Sequence, residues 1–236
     1  MLEDGTVGVV YISLSPKIRE IGAATDLTKF IGMNPIDLAK EFKSSNNFQK
    51  TLGLGAINAI SQHVFRKSNF SFDFTTDSFG LLDLTRADKL GMVGFFPPLV
   101  KKIEEMGIPL IVIEKVIRFV KKTDIWEITL DPSRLKECNK VLCTATTILN
   151  NSIDEILYYC SRAEKISIIG PTAGFIPDPL FNRGVDVVGS TFISDSKLFL
   201  ELIRQNRRWS PATKKYCIIR KKYLGLNSIL NQIVQK

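Results

Sequence analysis

From residue 86 onward, short apolar runs alternate with segments in which apolar residues recur every three or four positions. The apolar runs are rich in β-branched side chains, which is typical of strands buried on both faces. The segments between them predict amphipathic helices. The predicted strands are residues 92–96, 109–113, 140–144, 166–169 and 185–188. This order predicts an α/β fold with a Rossmann-like, mostly parallel sheet and helices on both faces.

The N-terminal third has a different pattern and predicts a smaller α+β unit. Residues 6–14 alternate in the manner of a strand. Asn34 and Pro35 supply an N-cap and a first-turn proline for a helix, and a second helix is predicted over residues 51–65. The predicted domains are residues 1–85 and residues 86–236.

The second of these helices carries small residues and one amide. Gly53 and Gly55 would let another backbone or a ligand approach closely. Asn58 lies among apolar neighbours, and a buried amide without partners costs about 1–3 kcal/mol. Asn58 is therefore either a cap for a nearby loop or a ligand contact. His63, the single histidine, is interpreted as structural.

Composition places the chain among soluble globular proteins. Of its 236 residues, 44% are hydrophobic and 24% charged, and 32 basic against 24 acidic side chains give a formal charge of +8. No apolar run approaches the roughly 18–20 residues that span a bilayer, and the chain does not begin like a signal peptide. We therefore expect a cytoplasmic protein with no membrane partner, and leave open whether it forms a homodimer.

The cysteine pattern argues against a zinc site. The four cysteines are Cys138, Cys143, Cys160 and Cys217. They form no Cys-x-x-Cys pair, and a single histidine does not complete a Cys/His set. Buried thiols in a reducing compartment are the favoured interpretation. The carboxylates that could serve a metal ion instead, without any spacing that selects them, are Asp83, Asp88, Glu114 and Asp178.

Positive charge is concentrated near the C-terminus. Residues 204–222 contain eight Lys or Arg and no acid, whereas the rest of the chain is balanced. Together with Trp209, Tyr216 and Tyr223, this basic segment could bind a nucleic acid or another acidic partner through phosphate contacts and ring stacking. A solvated face is the favoured interpretation, because nothing else in the chain resembles a nucleic-acid module.

Candidate chemistry lies at the carboxyl ends of the predicted strands, where open parallel sheets bind ligands. Four turns follow these strands, and we expect them to share one crevice. They are Gly94-Phe95-Phe96-Pro97-Pro98, Glu114, Thr144-Ala145-Thr146-Thr147 with Asn150, and Gly170-Pro171-Thr172-Ala173-Gly174.

Glu114 lies at the tip of the second predicted strand, 20 residues after Gly94. In Rossmann-type domains an acid at this point accepts hydrogen bonds from ribose hydroxyls. The glycine-rich phosphate motif is absent, and Pro97 and Pro98 remove amide donors where a pyrophosphate would bind. An NAD or FAD site is therefore disfavoured. Two roles for Glu114 are left open: it binds an adenosyl compound that has no pyrophosphate, or it is a solvated acid at the end of a strand.

The other turns are less specific. Thr144 and Thr147 offer hydroxyls for a ligand, or serve as ordinary cap residues. The long connection at residues 171–184 predicts a shaped lid, whose ionisable members are Asp178 and Arg183. The chain has no Ser/His/Asp set, no metalloprotease motif and no P-loop, so it indicates no catalytic residue.

Four segments resemble a known family. They are residues 88–114 (DKLGMVGFFPPLVKKIEEMGIPLIVIE), 141–157 (VLCTATTILNNSIDEIL), 168–195 (IIGPTAGFIPDPLFNRGVDVVGSTFISD) and 51–59 (TLGLGAINA). The first three are similar to hallmark segments of the uncharacterised family labelled "putative heavy-metal chelation", and the fourth to the N-terminal domain that accompanies it. The resemblance spans nearly the whole chain. It implies an enolase-N-terminal-like domain followed by a Rossmann-like domain, with the site in the cleft between them.

The resemblance also implies a set of site residues. They are Asn58, Gly94, Pro97, Pro98, Glu114, Thr144, Thr147, Asn150, Gly170, Pro171, Thr172, Asp178 and Gly184. The leading hypothesis is a protein that binds a small molecule or a metal complex between the two domains, with a metal ion or an adenosyl compound as candidate cofactor. An adenosyl-dependent enzyme is one alternative. An adaptor that binds nucleic acid or an acidic partner through the basic segment is the other.

The chain departs from the family pattern near both ends. The family's N-terminal domain normally begins with a further strand, and Asp4-Gly5 is a hairpin-turn signal with only three residues before it. Either the true start lies upstream or the strand predicted at residues 6–14 pairs elsewhere. The basic segment at residues 204–222 lies outside the resemblance.

Overall fold

The computed structural model describes residues 1–11, 20–21 and 24–235. The strands of this described part are β1 (Leu90–Val93), β2 (Leu110–Ile113), β3 (Lys121–Lys122), β4 (Trp126–Thr129), β5 (Lys140–Thr144), β6 (Lys165–Ile169), β7 (Val187–Ile193) and β8 (Thr213–Ile219). They form a sheet in the order β3-β4-β2-β1-β5-β6-β7-β8. Neighbours from β4 to β7 are parallel, and the outer pairs β3–β4 and β7–β8 are antiparallel. The predicted α/β fold with a mostly parallel sheet is confirmed.

The helices largely follow the predicted amphipathic segments. Those whose bounds the structure describes in full are α1 (Pro35–Lys40), α2 (Asn47–Lys67), α3 (Pro97–Glu105), α4 (Thr146–Leu149), α5 (Ile153–Tyr159), α6 (Asp178–Phe181), α7 (Ser196–Arg204) and α8 (Leu226–Val234). The side chain of Asn34 caps α1 as predicted, by accepting a hydrogen bond from the backbone N–H of Ile36. Helix α2 begins earlier than predicted because Asn46 caps it. None of the described helices combines the length and the apolar character needed to cross a bilayer.

The strand order reverses between β1 and β5. From β1 the sheet extends through β2 to β4 on one side, and through β5 and β6 to β7 on the other. Val93 is level with Ile113 of β2 and with Cys143 of β5. The turns after these three strands therefore begin at nearly the same height, at the edge where such sheets bind ligands.

The central strands are buried on both faces because their side chains alternate between two hydrophobic clusters. Met92 of β1 belongs to a cluster that includes Ile103 of α3. Val93, the next residue, belongs to a cluster that includes Leu54 and Phe65 of α2. Helix α2 therefore packs over the second face and reaches the carboxyl edge of the sheet.

Residues 6–11 differ from their prediction. They form no strand, so the strand predicted at 6–14 is wrong over this stretch, and 12–14 lie outside the described residues. The segment lies against α2 instead, so closely that a Cβ atom added to Gly8 would be 2.2 Å from the carbonyl oxygen of Gly55. The hairpin-turn signal is confirmed as a turn, in which the N–H of Gly5 donates to the carbonyl oxygen of Leu2 at 3.0 Å.

Strand β4 falls in a stretch that showed no strand pattern, since only Ile128 of its four residues is buried. In the connection at residues 171–184, Phe175, Leu180 and Phe181 are buried in a hydrophobic cluster. That this connection acts as a lid stays a prediction. Arg183 forms an ion pair with Asp154 on the surface, with Nε and Oδ1 3.1 Å apart.

Candidate functional site

A cavity of about 840 Å³ opens at the carboxyl ends of β1, β2, β5 and β6. Asn47 and Thr51 of α2 and Tyr11 of the N-terminal segment line one side of it. We call it the switch-point cavity; its lining residues are Tyr11, Asn47, Thr51, 93–96, 113–116, Leu130, Pro132, 144–147, Leu149, Asn150, Ser152, Glu155, Ile156 and 169–172. Eight of the ten ligand-binding candidates lie in this lining, namely Gly94, Glu114, Thr144, Thr147, Asn150, Gly170, Pro171 and Thr172.

The turn after β1 holds the carboxylate of Glu114. Gly94 adopts a positive φ of 89° that favours glycine, and a Cβ atom there would lie 3.1 Å from Cγ2 of Thr144. The backbone N–H of Phe95 donates to Oε1 of Glu114 at 3.2 Å, and that of Lys115 donates to Oε2 at 2.6 Å. Two backbone donors therefore fix this carboxylate at the cavity wall.

Some hydroxyl groups of the turn after β5 form hydrogen bonds within the turn itself. Oγ1 of Thr147 donates to the carbonyl oxygen of Thr144 at 2.8 Å and is buried. Oγ1 of Thr144 lies 3.1 Å from Oγ1 of Thr146, and both residues are partly exposed to the cavity. Ser152 makes no side-chain capping bond to α5; its hydroxyl donates to Oδ1 of Asn150 at 2.5 Å. Thr144 and Thr146 are thus better placed than Thr147 to meet a ligand.

The turn after β6 connects the cavity to the N-terminal segment. Gly170 adopts a positive φ of 134°. Oγ1 of Thr172 accepts a hydrogen bond from the backbone N–H of Tyr11 at 3.0 Å. This bond brings Tyr11 to the cavity wall, although no local pattern in the sequence marks that residue.

Asn58 and Asp178 lie outside the lining. Nδ2 of Asn58 donates to the carbonyl oxygens of Val9 and Thr172, at 2.7 and 3.1 Å, and the side chain is fully buried. Asp178 accepts hydrogen bonds from the hydroxyl of Tyr223 and from the backbone N–H of Leu226. Asn58 therefore fastens two backbone segments beside the cavity, and Asp178 fastens the start of α8.

The rings of the basic segment are occupied by packing. Tyr216 is buried and its hydroxyl accepts a hydrogen bond from Nε2 of Gln62 at 3.0 Å. Trp209 packs edge-on against Phe199 at a centroid distance of 5.6 Å. With Tyr223 bonded to Asp178, the expectation that these rings are available for base stacking is not supported, while the cations of the segment are exposed.

Fold and cavity together define a class: a doubly wound α/β protein whose cavity lies where the strand order reverses. The chain belongs to the family described as "Putative heavy-metal chelation", which matches residues 77–222, and a second family with the same description matches residues 1–61. The resemblance noted in the sequence is thereby confirmed.

Three proteins that are similar to the chain in sequence or in fold are uncharacterized or of unknown function. An uncharacterized protein of Methanocaldococcus jannaschii is 29% identical over 221 residues, covering 88% of this chain and 79% of the relative. A DUF364-family protein of unknown function from Pyrococcus horikoshii superposes with a TM-score of 0.66 at 23% identity, over 83% of this chain and 78% of its own. A protein of the same family from Desulfitobacterium hafniense gives 0.63 at 21% identity, over 81% and 76%.

The family description raises the question of whether side chains here could chelate a metal ion. In the described part of the chain, no three or more His, Cys, Asp or Glu side chains are grouped so that they could hold one. All four cysteines are buried and free, and burial raises the pKa of Cys138, Cys143 and Cys160 to about 12. The carboxylate of Asp83, another metal-ligand candidate, forms an ion pair with Lys165. The described residues therefore do not fit a metal ion held by side chains alone.

Proposed function

We propose that the protein binds a small molecule, or a metal complex that brings its own ligands, in the switch-point cavity. The observation that carries the proposal is that four strand ends and α2 enclose one cavity of about 840 Å³. Cavities of roughly 300–1,000 Å³ with apolar walls and a few polar groups are the usual small-molecule sites of proteins. Under this proposal residues 1–85 form the smaller domain that covers the mouth.

The cavity lining supplies both apolar surface and polar groups. Phe95, Phe96 and Ile113 provide apolar surface beside the first turn. Glu114 and the hydroxyls of Thr144 and Thr146 provide acceptors and donors at fixed positions. Such a site orients a ligand by a few hydrogen bonds and gains most of its affinity from apolar contact.

A thermal-shift screen against a metabolite library tests the proposal, because a ligand that binds only the native state raises the melting temperature. Thr51→Trp places bulk in the cavity from α2, and Thr146→Trp does so from the turn after β5. Lys101→Trp adds the same bulk on the exposed side of α3, outside the lining. We expect library hits to disappear in both cavity variants and to persist in Lys101→Trp.

Circular dichroism and urea unfolding establish that each variant is folded before it is screened. The same screen includes nickel and zinc salts, which test whether the protein binds the metal ion alone. Hits that survive both cavity variants, or a screen without hits, would contradict the proposal.

An enzyme that uses an adenosyl compound is the second candidate. Glu114 favours it, because the carboxylate lies at the tip of β2 beside the turn after β1, where Rossmann-type proteins bind ribose hydroxyls. Titration calorimetry with S-adenosylmethionine and with adenosine is the measurement. The candidate requires saturable heat that Glu114→Ala abolishes.

A further inference from the structure

We infer that the switch-point cavity selects unphosphorylated ligands, because Glu114 occupies the backbone donors on which related sheets bind phosphate. The inference rests on the proposed function and specifies the ligand's chemical class: a neutral or cationic compound with hydroxyl or amino groups and an apolar or aromatic part.

The turn after β1 has few N–H groups to offer an anion. The N–H of Gly94 donates to the carbonyl oxygen of Ile113 at 2.9 Å, and that of Phe95 donates to Glu114. Pro97 and Pro98, which begin α3, have no N–H. Phosphate-binding turns depend on several free N–H groups at a helix N-terminus. Four of the five residues at 94–98 have no free N–H group.

The carboxylate itself opposes a second anion. Both oxygens of Glu114 are held by backbone N–H groups, so the side chain is fixed in the position from which it would repel a phosphate. Like charges at close range in a partly buried site repel more strongly than in bulk water. The remaining lone pairs of the carboxylate suit hydroxyl or ammonium donors instead.

The charge of the lining agrees with this selectivity. Its ionisable members with a formal charge are Glu114, Glu155 and Lys115, so two negative charges and one positive charge give a net charge of −1. The whole chain, by contrast, has a formal charge of +8. The lining therefore has no excess of positive charge that would draw an anion into the cavity, in contrast to the chain as a whole.

Compounds that differ only by a phosphate test the inference. The panel consists of nucleosides, pentoses and polyols, each measured by calorimetry with and without its phosphate group. We expect the unphosphorylated member of at least one pair to bind about tenfold or more tightly than its phosphate. Glu114→Gln keeps an acceptor for the N–H of Phe95 but removes the charge. In this variant the ratio of the two affinities falls toward one.

Glu105→Gln is the matched control, since it makes the same charge change on the exposed end of α3, and the preference remains in it. Equal or tighter binding of the phosphorylated members overturns the inference and leaves the proposed function standing. A preference that Glu114→Gln retains also overturns it. If no panel member binds, the inference is wrong, and the library screen with Thr51→Trp decides separately whether the proposed function is wrong as well.

Discussion

The ammonium group of Lys50 donates a hydrogen bond to Oδ1 of Asn151 and lies 5.3 Å from the ring centroid of Phe42. Lys50 is only 6% exposed, and among the residues that the structure describes no acid forms an ion pair with it. Asn151 lies between Asn150 and Ser152 of the cavity lining. The bond therefore ties α2 to the loop between α4 and α5 through a buried ammonium group.

This environment predicts an unusual pH dependence of stability. Burial lowers the pKa of Lys50 below its ordinary value of 10.5, so the unfolded chain binds more protons than the folded protein between the two values. Stability then rises with pH across that interval. We expect the unfolding free energy of Lys50→Met to lack this rise. Urea unfolding from neutral to alkaline pH measures the difference between the two proteins.

Lys101→Met is the control for the loss of a lysine at an exposed site, where the side chain is 78% exposed. Its unfolding free energy should follow that of the unmodified protein. If Lys50→Met also followed it, Lys50 would not carry a desolvation penalty.

Gly53 and Gly55 of α2 predict opposite effects of the same substitution. A Cβ atom on Gly53 would lie 2.2 Å from the backbone nitrogen of Phe42, whereas one on Gly55 would meet only Cγ2 of Val10, at 3.7 Å. We expect Gly53→Ala to lower the unfolding free energy by about 1–3 kcal/mol, because a backbone must move.

Gly55→Ala should leave the unfolding free energy unchanged or raise it by up to about 1 kcal/mol, since alanine is the better helix former. Urea unfolding of both variants gives the comparison. A loss of stability in Gly55→Ala as large as in Gly53→Ala would show that the close approach at Gly53 is not what matters.

The turns of the cavity could be predicted because they depend on one rule of parallel sheets. The predicted strand ends at Ile113, Thr144 and Ile169 agree with the structure, and their common edge followed from chain direction alone. The first strand was predicted over residues 92–96 but is Leu90–Val93, so its end was placed three residues too late. The dense small residues of α2 were likewise visible, and the close backbone contact they permit is present at Gly53.

Contributions from the N-terminal part could not be predicted. Tyr11, Asn47 and Thr51 reach the cavity only because α2 docks on the sheet, and no local pattern encodes that docking. The role of Lys50 is hidden for the same reason, since a lysine near a helix start is normally solvated. Asp178, which the connection at residues 171–184 and the family resemblance both suggested, lies outside the cavity lining.

Asp178 should support α8 without contributing to ligand binding. The bonds from Tyr223 and Leu226 hold the start of α8, whose Ile229 is 2% exposed in the core. In Asp178→Ala we expect faster amide hydrogen exchange over residues 226–234, because the docked helix opens more often. Thermal shifts caused by cavity ligands should be unchanged in size; their loss would place Asp178 in the binding site.

Asp4 anchors the N-terminal segment that leads to Tyr11. Its carboxylate accepts hydrogen bonds from the N–H and hydroxyl of Thr6, both at 2.9 Å, and lies 2.8 Å from Nδ1 of His63. Burial raises the pKa of Asp4, but these hydrogen bonds and the nearby His63 outweigh it and lower the pKa from 3.8 to about 2.

A carboxylate with a lowered pKa stabilises the folded state above its unfolded value, and this contribution is lost as the pH falls toward the folded value. For Asp4 the interval lies between 3.8 and about 2. Because the residue is partly exposed and screened by solvent, we expect a contribution of about 1 kcal/mol. Asp4→Asn should be less stable by this amount at neutral pH and equal to the unmodified protein at the acid end of the interval.

Urea unfolding over this pH range gives the two stability curves, and their difference isolates Asp4 from other acids. Thr6→Val removes one hydrogen-bond donor, so the stabilisation by Asp4 should be lost at a higher pH than in the unmodified protein. A purely electrostatic effect of His63 would not produce this shift. Parallel curves for Asp4→Asn and the unmodified protein would mean that Thr6 and His63 do not hold the carboxylate. Since Tyr11 follows in the same segment, loss of this anchor should also weaken cavity ligands at acid pH.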